Sequence, residues 1–313
     1  MTRLIEVRGG MRFAVYLLLL LLLNACAAYP MVAARMDERE IDPVDMDLGA
    51  ERWLWHHAES PRAVAVLTHG LNLNPGRMRA LASVLQADGI DVLQLQLSGH
   101  EMGLDDQLRL ARFRQADFSR WQQEMADSVA LAAEHAALNG LPLYLVGFSL
   151  GGLLSVDHVN QHPDSAVQGM VLLAPALALR RTSYLLMPLG YLPDFYLPSF
   201  AANDYRANDF APVSAYDALY QGLDIFLSTV EPAHIDIPTL LAIDAGDELV
   251  SSDGVSNFMA RHQLWNWQWL PLVKSEGAAR VLDHLIVDEQ SLGADTWQYL
   301  QRRMLAFLQP SNE

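Results

Sequence analysis

The sequence predicts one α/β domain: a mostly parallel central sheet with helices on both faces and a cap or lid insertion. Three observations lead there. Short apolar runs alternate with helical segments over most of the chain, the pattern that stacked βα units leave in a sequence. Two of those runs, Ala63 to Thr68 (AVAVLT) and Leu143 to Val146 (LYLV), are apolar without the every-second-residue polarity of a half-wet strand, as expected of strands covered on both sides. The chain has 313 residues, 51% of them apolar, enough to build a sizeable core without staples.

The first 25 residues read as an export signal. Arg3, Arg8 and Arg12 precede an unbroken apolar run from Phe13 to Leu23, too short to span a bilayer but the right length for a signal-peptide core. Met11 would serve as an alternative start that leaves the signal intact. The segment Leu23-Asn24-Ala25-Cys26 resembles the lipobox of bacterial lipoproteins, which implies lipidation of Cys26, the single cysteine. Ala27 after it favours the outer membrane, facing the periplasm. The competing reading is ordinary cleavage at Ala25-Cys26-Ala27, which yields a soluble periplasmic or secreted protein. One cysteine excludes an intrachain disulfide and a cysteine-based zinc site.

Charge narrows the partners. The chain carries 21 basic and 37 acidic groups, a net −16. Removing residues 1–25 takes away three arginines and one glutamate, leaving 18 basic and 36 acidic groups, or −18. Such a surface has little attraction for phosphate backbones or anionic headgroups, so no nucleic acid is expected and membrane attachment falls to the lipid on Cys26.

Residues 26–49 read as an extended linker and 50–313 as the folded domain. Strands are expected at Arg52 to His57, Ala63 to Thr68 and Ile90 to Leu97, with a helix from Gly76 to Ala87. Trp121, Met125, Val129, Ala132 and Ala136 recur at helical spacing, with Asp117 or Ser119 to cap the start and Asn139-Gly140 to end it. The strand Leu143 to Val146, a helix over Leu150 to Gln161 and the strand Val167 to Leu173 follow. Between about 175 and 232 the pattern pauses in a Pro- and Tyr-rich stretch without a clean period, read as the cap insertion. Alternation then resumes, with strands at Thr239 to Ile243 and Leu264 to Leu270. Helices are expected around Asp253 to His262 and over Asp295 to Leu308.

The chemistry gathers at strand ends. Gly147-Phe148-Ser149-Leu150-Gly151 follows an apolar strand and opens a helix, the setting in which a sharp turn exposes a serine hydroxyl. A serine is a weak nucleophile at neutral pH and needs an oriented base within hydrogen-bond reach. In this architecture the order is serine, acid, histidine. His284 lies in the loop before the last helix, where the base belongs; His234 and His262 lie before a strand and at a helix end. The acid belongs just past the strand Thr239 to Ile243, where Asp244, Asp247 and Glu248 qualify and Asp247 is favoured. Asp283 is expected to point away from the His284 ring. An oxyanion needs two backbone N–H donors; the amides of Leu150 and Leu71, the latter in the loop His69-Gly70-Leu71, are the candidates.

Together these landmarks resemble the α/β-hydrolase superfamily. Specifically, they resemble its monoglyceride lipase and lysophospholipase-like branch, the serine aminopeptidase S33-type hydrolases, over roughly residues 50–308. The resemblance rests on His69-Gly70, Ser98-Gly99-His100, GFSLGG, Asp247-x-x-Val250 and His284. Two features depart from it: Glu101 stands where glycine is usual, and Leu71-Asn72-Leu73-Asn74 lacks the usual polar signature. The resemblance implies a serine hydrolase acting through an acyl-enzyme on small-molecule carboxylic esters of acyl-lipid, lysophospholipid or monoacylglycerol type. The same nucleophile would also serve an amidase, an aminopeptidase or an acyltransferase, and the scaffold admits a non-catalytic acyl-binding lipoprotein. No metal or organic cofactor is implied. His158 and His162, four apart on a helix, read as a solvated face; His56 and His57 alternate along a strand and cannot share an ion. Trp265, Trp267 and Trp269 read as one face of a strand.

Overall fold

The computed structural model describes residues 49–191, 194–199 and 201–309. The export signal, Cys26 and the linker up to residue 48 lie outside the described residues. The strands are β1 (Trp53–His56), β2 (Ala63–Thr68), β3 (Ile90–Leu95), β4 (Leu143–Phe148), β5 (Val167–Leu173), β6 (Tyr196–Pro198), β7 (Phe210–Pro212), β8 (Thr239–Asp244) and β9 (Trp267–Leu272). The α-helices of nine residues or more, among the described residues, are α1 (Arg79–Ala87), α2 (Asp106–Gln115), α3 (Phe118–Asn139), α4 (Leu150–Gln161), α5 (Val213–Thr229), α6 (Ser252–His262) and α7 (Ala294–Phe307).

Seven strands form one sheet in the order β1-β3-β2-β4-β5-β8-β9. Only β1 runs antiparallel, against β3; the other pairings are parallel. Every residue of β2, β3, β4 and β8 is buried, which accounts for the apolar runs of β2, β4 and β8, whereas β3 also buries the polar Asp91 and Gln94. The two-residue period then sorts the side chains into two cores. Val64, Val66, Leu93 and Leu95 face Trp121, Met125 and Val129 of α3 and Leu153 and Leu154 of α4. Ala63, Ala65, Leu67 and Val92 face Leu81 and Leu85 of α1 and Trp297, Leu300 and Met304 of α7. Helices therefore cover both faces. Trp121 is fully buried, and its truncation to alanine would cost roughly 3–5 kcal/mol.

The long helix α3 begins and ends for local reasons. Asp117 accepts the Arg120 amide at 2.8 Å as an N-cap, and Gly140 turns left-handed at φ 63° to close the end. Among the described residues, no helix is long and apolar enough to cross a membrane.

Three elements differ from the sequence reading. The polar helix α2 was not expected; it buries only Arg112 and Phe113 and so shows little period. The edge strand β9 starts at Trp267 rather than Leu264, because Gln263, in the left-handed region, closes α6 and a turn follows. Trp265 is consequently 81% exposed and shares no strand face with Trp267. Finally, the stretch between β5 and β8 contains a 17-residue helix, α5, besides a one-sided 3-10 segment (Ser183–Tyr191) and the β6–β7 hairpin. Its buried positions Ala215, Ala218, Leu219, Gly222, Leu223 and Phe226 do recur at helical spacing, but exposed Ile225 and Leu227 blur the polar face.

Candidate active site

Parallel strands deliver their loops to one rim of the sheet, and the residues singled out from the sequence converge there. Between β4 and α4 the backbone turns so sharply that Ser149 sits at φ 52°, ψ −111°, a strained conformation for a non-glycine residue. Glycine is required around it. A Cβ on Gly147 would lie 2.4 Å from the Gly151 carbonyl oxygen, and one on Gly151 would lie 2.3 Å from that of Thr68.

His284 follows β9 in the loop before α7. Its Nε2 lies 2.9 Å from Ser149 Oγ and its Nδ1 lies 2.7 Å from Asp247 Oδ2. The other Asp247 oxygen accepts the amides of Leu249 and Val250, both at 2.8 Å. These bonds fix the carboxylate, which is completely buried. With Nδ1–H donated to Asp247, the ring presents an unprotonated Nε2 to the serine hydroxyl. Of the three acids at the end of β8, only Asp247 makes this contact among the described residues. Asp244 accepts the Gly246 amide instead, and Glu248 accepts the His284 amide at 3.2 Å. Asp283 turns away to an ion pair with Lys274 at 3.5 Å.

Leu150 supplies the first amide of α4, one of the N–H groups that find no partner within their own helix. Gly70 lies against the serine, since a Cβ there would be 3.0 Å from Ser149 Cβ, and this brings the Gly70-Leu71 segment beside the nucleophile. Two neutral histidines hold that loop from behind. The Leu97 amide donates to His69 Nε2 at 3.1 Å, and the Asn72 amide donates to His100 Nε2 at 2.8 Å. Burial pushes the His69 imidazole down to about 4, against a weaker opposing bond to the Gly70 carbonyl; burial and then His69 push His100 well below the ordinary histidine range. Both nitrogens stay acceptors at neutral pH.

Sequence reasoning missed Asn72, which has φ 52° and ties this loop to the inserted segment. Its side chain donates to Ser199 Oγ (3.1 Å) and the Asn208 carbonyl (3.0 Å), and accepts the Asn208 amide at 2.9 Å. The signal for it was the Asn-x-Asn after His69-Gly70, read only as a missing polar signature. Glu101, the other departure, is buried and pairs with Arg112 at 3.1 Å while accepting the Gly99 amide. It buttresses the loop rather than reaching the site.

The serine opens into a cavity of about 350 Å³. Its walls are apolar, with Leu71, Leu185, Leu219, Leu249 and Leu282 prominent and Glu248 the charged residue among them.

One minor expectation is corrected here. His158 is not on a solvated face: it is 8% exposed, its ring is tilted against that of His162 at 4.7 Å between centroids, and Nε2 has no hydrogen-bond partner among the described residues. Burial, then His162, lower its pKa to about 4.

The family model described as serine aminopeptidase, S33 matches residues 59–217, half of the chain. The chain belongs to this family. The match takes in the loop after β2 and the Ser149 turn, and ends before β8. Phospholipase YtpA of Bacillus subtilis (strain 168) is 29% identical over 128 residues, 41% of this chain and 46% of that protein, so the chain spans about half the length of this relative. Solved structures share the fold. The metagenome-derived lipolytic enzymes LipS and LipT give a TM-score of 0.62 at 20% identity, over 83% of this chain and 98% of theirs. A monoacylglycerol lipase from Paleococcus ferrophilus gives 0.59 at 17%, over 82% and 98%. A soluble variant of monoglyceride lipase from Saccharomyces cerevisiae gives 0.59 at 12%, over 82% and 89%. These structures have the α/β-hydrolase fold, and the chain shares it.

Proposed function

We propose that this protein is a serine hydrolase that cleaves carboxylic esters of acyl lipids, of lysophospholipid or monoacylglycerol type, with Ser149, His284 and Asp247 as its triad. The observation that carries the reading is the chain of two hydrogen bonds, Ser149 Oγ to His284 Nε2 and His284 Nδ1 to Asp247. Ser149 Oγ attacks the ester carbonyl carbon as its proton passes to His284 Nε2, and Asp247 stabilises the imidazolium. The carbonyl oxygen, now an oxyanion, accepts the amides of Leu71 and Leu150. Collapse expels the alcohol, which takes the proton from His284. Water then repeats the sequence on the acyl-enzyme and releases the acid.

The acyl-lipid assignment is supported by the apolar walls of the cavity and by the exposed Leu185, Met187 and Leu249, the first and last of which also line it. The names of the phospholipase and monoglyceride lipase relatives point the same way. We propose further that the stretch between β5 and β8 acts as the lid over this cavity. The exported, Cys26-lipidated form facing the periplasm is the setting in which such a substrate would be met.

The test is a hydrolysis profile on p-nitrophenyl esters of increasing acyl length beside amino-acid p-nitroanilides, in the presence and absence of micelles. Esters of medium or long chains should lead. A preference for amino-acid anilides would replace this reading with an aminopeptidase in which Glu248 meets the substrate's amino group. Transfer of the acyl group to an added alcohol in place of water would make it an acyltransferase.

A further inference from the structure

At the opposite rim of the sheet from Ser149, three residues from three elements meet. His57 follows β1, Asp91 is the second residue of β3, and His135 lies on the last turns of α3. Their candidate ligand atoms all lie within 4.8 Å of one another. We infer that His57, Asp91 and His135 form a binding site for a divalent cation of the zinc class, independent of the hydrolytic centre.

The donor set argues for the metal. Two imidazoles and one carboxylate suit zinc and its neighbours, whereas magnesium and calcium seek oxygen alone. A tetrahedral zinc with bonds of 2.0–2.2 Å sets its ligand atoms about 3.4 Å apart. The observed separations bracket that edge: His135 Nε2 is 2.8 Å and His57 Nδ1 3.7 Å from the same oxygen, Asp91 Oδ2. The adjustment needed falls on His57, whose side chain is 61% exposed, while the Asp91 side chain is only 4% exposed. A water would fill the fourth position.

The surroundings orient the ligands as metal sites require. Asp91 Oδ1 accepts the Ala58 amide at 2.8 Å, which fixes the carboxylate plane and leaves Oδ2 directed at the two rings. Trp55 stacks on His57 at 5.4 Å with the planes 7° apart, and tilts against His135 at 4.8 Å. His56, by contrast, faces Gln94 on the other side of the strand and takes no part. Because Asp91 lies at the beginning of a parallel strand and Ser149 follows the end of one, the ion would brace β1, β3 and α3 and would not touch the chemistry.

The experiment is a Zn²⁺ titration of the full chain in detergent, read by bound metal per chain and by melting temperature. One zinc should bind, and at a hundredfold excess over Kd the melting temperature should rise by about 5 °C. His57→Ala and His135→Ala should each weaken binding by about tenfold or more and abolish the rise, leaving ester hydrolysis unchanged. His57 is exposed enough that its variant tests the ligand without threatening the fold. The control His162→Ala should bind as the wild type does. No bound zinc at micromolar concentration, binding unaltered in both ligand variants, or binding lost in His162→Ala would each overturn the site.

Discussion

Replacing Asp247 by asparagine exchanges one oxygen for an NH₂ group at the centre of the site while keeping size and shape. The Asp247 oxygen that accepts the Leu249 and Val250 amides would be retained as the amide oxygen, since only an acceptor suits those two donors at 2.8 Å. That forces the new Nδ2 toward His284 Nδ1, 2.7 Å from the present Oδ2. An amide N–H donates, so Nδ1 must become the acceptor and Nε2 must carry the ring proton. Nε2 then points an N–H at Ser149 Oγ, 2.9 Å away, and can no longer take its proton. An inverted tautomer of this kind lowers kcat by about 10⁴, equivalent to about 5 kcal/mol of barrier. Folding stability should move by no more than about 1 kcal/mol, because the retained oxygen keeps its buried amides satisfied. Steady-state hydrolysis of a soluble short-chain ester, beside urea unfolding, reads both quantities. A variant that folds and keeps more than about a tenth of the wild-type kcat would refute the reasoning, since tautomer control would then contribute less than about 1.4 kcal/mol.

Two further outcomes follow from the loop behind the serine and from the buried histidines. Asn72→Gly keeps the positive φ but removes the side chain that binds Ser199 and Asn208. Stability should fall by about 2–4 kcal/mol as buried backbone groups lose partners, and kcat should drop about ten- to a hundredfold as the Leu71 amide loosens; unchanged kcat in unfolding-corrected assays would detach this loop from catalysis. His158, held near 4 by burial and then His162, is neutral in the fold but titrates near 6.5 when unfolded. The unfolded chain therefore takes up the proton first, and stability is lost as pH falls from about 6.5 toward about 4, by about 2 kcal/mol at about pH 5. Urea midpoints at neutral pH and at about pH 5 should show that His158→Leu loses about 2 kcal/mol less than the wild type. Equal losses would mean that His158 stays charged in the fold.

The parts of the fold that are local in origin could be read from the chain. Strands buried on both faces announce themselves as apolar runs, and α3 carries both a cap and a period, so its ends fell where Asp117 and Gly140 put them. The meeting of Ser149, Asp247 and His284 was legible because loops that follow parallel strands share one rim of the sheet, and the three side chains do lie within hydrogen-bond reach. What could not be read depends on long-range meetings. His57, Asp91 and His135 are far apart in sequence and converge only through the β1–β3 pairing and the packing of α3. Asn72 looked like a departure from a pattern because its partners, Ser199 and Asn208, come from the segment whose period was hardest to see. Helix α5 escaped for a related reason: its apolar residues serve a core on one side and leave Ile225 and Leu227 exposed on the other.

The central claim is that Ser149 is a nucleophile activated by His284. Fluorophosphonate labelling of the full chain in detergent, with the adduct mapped by peptide mass spectrometry, tests it most directly. The account predicts a single adduct on Ser149 in the wild type, none in Ser149→Ala, and labelling slowed by several orders of magnitude in His284→Ala. An adduct on another residue, or equal labelling rates in wild type and His284→Ala, would contradict it.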